Sequence, residues 1–112
     1  MIQKPLYIDN LQYTNISPAH FDEMAAAGLS AVHVTICYHE NFRQTVENMI
    51  TWNRWVERYP ERLMLGRTGD DVRQAHATGK TAIFYGFQNC APIEDDIGLI
   101  EIVHQLGARF MQ

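Results

Sequence analysis

A chain of 112 residues provides one domain built on one core. Its 46% hydrophobic content is that of a folded protein, and a net charge of −4 with scattered basic residues excludes an evident nucleic-acid surface. The opening stretch MIQKPLYIDNLQY lacks the long apolar run of a secretory signal, and no stretch approaches transmembrane length, so no membrane partner is expected.

In chain order, a first strand is expected over residues 6–10. Ser17-Pro18 then reads as a helix start, because serine caps the first free amides and proline is tolerated at the first helical position. Asp22 and Glu23 suit the positive end of that helix, predicted over 18–27, and Gly28 suits a left-handed cap behind it. The β-branched run LSAVHVTIC predicts a strand over 31–37. Asn41 with Gln44 forms a capping box for a helix over 42–58, which carries Phe42, Val46, Met49, Asn53 and Val56 on one face and Trp52, Trp55 and Tyr59 alongside; Pro60 stops it. LMLGRT reads as short and extended. Thr68 with Asp71 opens a helix over 69–78, closed by Gly79. TAIFYGF predicts a strand over 81–88, the cluster Glu94-Asp95-Asp96 opens a helix over 94–106, and a last strand is expected over 109–112.

Alternating strands and helices predict an α/β fold of parallel strands joined by right-handed crossovers. The strands are near-continuously apolar, as strands covered on both faces are. In such sheets ligands bind at the carboxyl ends of strands, so DNLQY (9–13), CYHEN (37–41) and QNC (88–90) share one face. The candidate site residues are Gln88, Asn89, Asp9 and Asn10.

The stretch TVENMITWNRWVERYPERLMLGRTGDDVRQAHATGKTAIFYGFQN resembles the membrane dipeptidase family, the M19-type zinc dipeptidases. What carries the resemblance is a helix ending in RYPERL, then RT with an acidic capping box, then R-x-A-x-x-x-G-K and an apolar strand. The resemblance covers roughly residues 6–112. It implies a TIM-type (βα)8 barrel that hydrolyses dipeptides with two zinc ions bridged by a glutamate. Such a barrel takes about 250 residues, so residues 1–112 are expected to be the N-terminal portion of a single barrel domain.

The metal ligands do not carry over. Where the family's first strand ends in Asp-Gly-His-x-Asp, this chain has Asp9-Asn10-Leu11-Gln12-Tyr13, with Leu11 and Tyr13 at the ligand positions. Where the family has Gly, an apolar residue, Glu and Gly, this chain has Gly86-Phe87-Gln88-Asn89, which puts a neutral amide in place of the bridging carboxylate. No metal ligand is therefore expected in this segment. The resemblance still implies zinc or another divalent metal, with ligands outside it.

Other residues have plainer readings. Gln88 and Asn89 also suit a strand-end cap bonded to loop backbone. His39 and Glu40 lie on the same face, but adjacent side chains on an extended chain point apart, which favours a solvated loop over a metal or acid/base pair. His33 reads as a hydrogen-bonded core residue, and His20, His76 and His104 sit on helices. Cys90 has no visible base to make it a nucleophile. Cys37 and Cys90 form no CxxC pair; free thiols in a cytoplasmic protein are expected, one disulfide being the other arrangement. The Trp52/Trp55 stripe covers strands or marks a subunit interface. The expected function is a hydrolase of dipeptides or related small amides with an altered or mononuclear metal site, working as a homo-oligomer, with this segment inactive alone. The other readings are a barrel that lost catalysis and binds or regulates, and a structural remnant.

Overall fold

The computed structural model describes residues 4–12 and 15–112. Five parallel strands form one sheet: β1 (Tyr7–Gln12), β2 (Leu29–Cys37), β3 (Leu63–Leu65), β4 (Thr81–Phe87) and β5 (Ala108–Met111). Four helices connect them: α1 (Phe21–Ala26), α2 (Phe42–Arg58), α3 (Gly69–Thr78) and α4 (Leu99–Gln105). All pairings are parallel, including that of β2 with β4, so the βα reading holds.

The strands run in the order β1-β2-β4-β3, with β5 also paired to β4. Both β3 and β5 lie on one edge of β4. β3 pairs with Thr81–Ile83, and β5 pairs with Tyr85–Phe87. This arrangement decides where the helices lie. The connections β1 to β2, β2 to β3 and β4 to β5 advance across the sheet, whereas β3 to β4 steps back. A right-handed crossover that travels backwards carries its helix on the opposite face.

Phe21 of α1, Met49 and Trp52 of α2 and Val103 of α4 accordingly pack with Val32, Val34, Ile36, Ile83, Tyr85 and Phe87 in the main core. The Trp52/Trp55 stripe covers the strands. Phe21 meets the rings of Trp52, Trp55 and Tyr59 at centroid distances of 6.2, 5.9 and 5.3 Å. α3 lies on the other, inner face, where Ala75 packs on Ala31 and Ala82 beside Met64, Val72 and Phe84. Its small side chains let the helix come close to the amino half of the sheet. The carboxyl half of the inner face, carrying His33, Thr35, Gly86 and Gln88 by strand alternation, lies beyond it.

The capping boxes Asn41–Gln44 and Thr68–Asp71 form as expected, and Gly79 ends α3 at φ 72° in the left-handed region. Two helices are shorter than the sequence predicts. Residues Pro18–His20 form a 3-10 turn before α1. The helix expected over 94–106 begins only at Leu99: Ala91–Ile93 is a 3-10 turn, Glu94 has φ 56°, and the Asp96 carboxylate accepts the Gly98 amide at 2.8 Å. The acidic cluster therefore caps no helix of its own. Instead the Glu94 carboxylate accepts the Phe42 amide at 3.1 Å, at the first turn of α2.

Candidate functional site

β1 carries a bulge where the sequence places the candidate residues. Asp9 is paired with Val32 and Gln12 with Val34, so Asn10 and Leu11 together stand opposite His33. A bulge removes ladder partners from the backbone, and here side chains replace them. The Leu11 amide donates to Asp9 Oδ1 at 3.1 Å, and His33 Nδ1 lies 2.8 Å from the Asn10 carbonyl oxygen. The second oxygen of Asp9 accepts Gln12 Nε2 at 3.1 Å. Both oxygens of this carboxylate thus bond to its own strand. Asp9 and Asn10 line a cavity of about 220 Å3 on the inner face, with His33, Val72, Phe84 and Phe110.

Gln88 follows β4 on the same face. Its amide Nε2 donates to Thr35 Oγ1 at 3.0 Å, and that hydroxyl donates to the Gln12 carbonyl at 3.1 Å. Its backbone amide donates to the Cys37 carbonyl at 2.8 Å. The side chain is therefore tied through β2 to the end of β1, leaving Oε1 as the acceptor it offers. Asn89 goes elsewhere. Its Nδ2 donates to the Tyr38 carbonyl and lies 2.9 Å from His39 Nδ1, while its Oδ1 accepts the Ala91 amide at 2.7 Å. Asn89 joins the loops after β2 and β4; it does not meet Asp9 and Asn10.

In the loop after β2, Glu40 accepts the Tyr38 and His39 amides at 2.6 and 3.0 Å. Burial pushes its carboxyl up, but its own backbone amide and those of Tyr38 and His39 outweigh that and hold it below the usual range. Burial also pushes the Cys37 thiol up, which makes it a poor nucleophile. Cys37 is buried and Cys90 exposed, and the two are not joined.

Among the described residues, no three His, Cys, Asp or Glu side chains gather so as to hold a metal ion. Leu11 offers no donor atom and Gln88 offers one neutral carbonyl. Tyr13, the other substituted ligand position, lies outside the described residues. The described residues do not fit a two-metal centre.

Sequence reasoning passed over Thr35 and Gln12, which carry the link between Gln88 and β1, and read His33 only as a core residue. The signal lay in period-two alternation. With β2 and β4 parallel and Thr35 opposite Gly86, residues 33 and 35 must share a face with 86 and 88.

A family model for membrane dipeptidases, peptidase family M19, matches residues 10–112. The chain belongs to this family. Among curated relatives, dipeptidase verJ of Clonostachys rogersoniana is 27% identical over 73 residues, which is 65% of this chain and 19% of that protein. An amidohydrolase from Pseudomonas aeruginosa superimposes with a TM-score of 0.86 at 33% identity, over 92% of this chain and 32% of the other. Dipeptidase AC, an M19 metallopeptidase, superimposes with a TM-score of 0.70 at 18% identity, over 93% of this chain and 41% of its own. The chain thus spans about a fifth of the length of the first and between 32% and 41% of the two solved chains. Its parallel βα units are those of a TIM-type barrel, and M19 is a family of metallopeptidases, so a metal belongs to the family's chemistry.

Proposed function

We propose that the chain is the N-terminal portion of a single barrel that hydrolyses dipeptides or related small amides through an altered, mononuclear metal site. The observation that carries this reading is the Gln88–Thr35–Gln12 chain: a neutral amide, held through its Nε2, stands where the resemblance puts the bridging glutamate. An amide so held orients a substrate carbonyl, amide or water by hydrogen bonding and adds no charge. One divalent metal, zinc by resemblance, would activate water and polarise a carbonyl from ligands outside this segment. Residues 1–112 by themselves have no activity on this reading. Two unjoined cysteines agree with a cytoplasmic setting, and the exposed Ile97 just before α4 and Ile100 in its first turn agree with a homodimer contact.

The test is metal analysis of the intact natural protein together with a dipeptide panel. One metal per chain with hydrolysis supports the reading. Two metals, with ligands from this segment, overturn it. The substituted positions 11, 13 and 88 also favour a second reading, a barrel that binds small amides without cleaving them; a bound dipeptide that survives in the presence of added zinc selects it.

A further inference from the structure

Histidine 33 makes contacts that a space-filling core residue does not need. It is 7% exposed and sits mid-strand in β2, yet its ring reaches three other strands. Nδ1 bonds the Asn10 carbonyl of the β1 bulge at 2.8 Å; the ring stacks on Phe110 of β5 at 4.3 Å and 19°; and the ring edge at Nε2 lies where a side chain of residue 86 in β4 would begin. The carbonyl at Asn10 only accepts, so Nδ1 must carry the proton. In the neutral ring Nε2 is then the bare nitrogen, and it has no partner among the described residues. A methyl group at position 86 would overlap the imidazole, so glycine there is required by His33.

We propose that His33 is a positioning residue of the candidate site, held as the Nδ1–H tautomer, that pins the β1 bulge against β4 and so fixes Asp9 and Asn10 relative to Gln88. It rests on the reading of this face as the site, but on no particular reaction there. The bulge has two side-chain staples. Asp9 ties it within β1, whereas His33 ties it to the rest of the sheet. Without the second, the end of β1 keeps its ladder pairing at Gln12 with Val34 and the Thr35–Gln12 bond, and that bond is the one Gln88 shares.

The test uses the intact natural protein and reads no catalysis, so it stands whether or not the hydrolase reading does. With histidine labelled in nitrogen-15, His33 should show a protonated Nδ1 and a bare Nε2; the opposite tautomer overturns the proposal. His33→Asn places a donor near the position of Nδ1 and removes the ring, and should leave the Gln88 side-chain amide signal in place. His33→Leu removes the donor and should move that signal. If both variants move it, or neither does, positioning by the Asn10 bond is wrong. Gly86→Ala should lower the melting temperature or prevent folding, and adding His33→Asn should recover at least half of that loss. A double variant no better than Gly86→Ala alone overturns the interlock.

Discussion

Two side chains at the strand ends have roles that their residue types do not announce. Asp9 was a candidate for the active face, and the structure commits both its oxygens to β1, to the Leu11 amide and to Gln12 Nε2. Asp9→Ala should therefore cost about 1 kcal/mol in the denaturant midpoint by freeing the bulge amide. Gln88→Glu is the sharper change. A carboxylate cannot donate to Thr35 Oγ1, so the hydroxyl must turn toward it and abandon the Gln12 carbonyl. The variant should lose about 1–3 kcal/mol and take up no added zinc, because Leu11 offers that ion no donor atom. An unchanged unfolding midpoint with an added stoichiometric zinc would refute this. The sequence showed which residues stand at the strand ends, since that follows from the βα order. It did not show their partners, because the bulge whose amide Asp9 accepts depends on register with β2.

At the level of elements, what was legible was what is local. The capping boxes of α2 and α3 are set by residues three apart and appear as expected. Asp71 accepts amides from Arg67 and Thr68, and the Arg67 amide above all holds its carboxyl below the ordinary 3.8. A carboxyl lowered by folding adds stability that is complete above the unfolded value and fades as pH falls through the folded one. Asp71→Asn should therefore flatten the loss of stability below about pH 4, as pH-dependent thermal melts of variant and parent can measure. Gly79→Ala tests the cap at the other end of α3. Nothing lies within 4 Å of an added Cβ, so the left-handed backbone alone should cost about 1 kcal/mol in thermal or urea unfolding. The start of α4 was misread because Glu94 caps α2, a partner 52 positions away in the chain. No local pattern carries that. Nor does one show that β3 and β5 divide an edge, although the face taken by α3 follows once they do.

Across the whole molecule, the sheet has unfinished sides. β1 is an edge strand with Tyr7 53% and Ile8 57% exposed, and Phe110 of β5 is 42% exposed. A segment of residues 1–112 expressed alone should self-associate through such edges; elution that stays monomeric as concentration rises would show them to be harmless. The position of α3 has a consequence for traffic. With Ala75 and Val72 of α3 laid over the amino half of the inner face, a barrel closed around that face has a floor and a single mouth. Whatever is bound among the strand ends must back out the way it came. On the hydrolase reading proposed above, each departing fragment would stand in the doorway of the next arrival, so the products of a cleaved amide should compete with fresh substrate for entry.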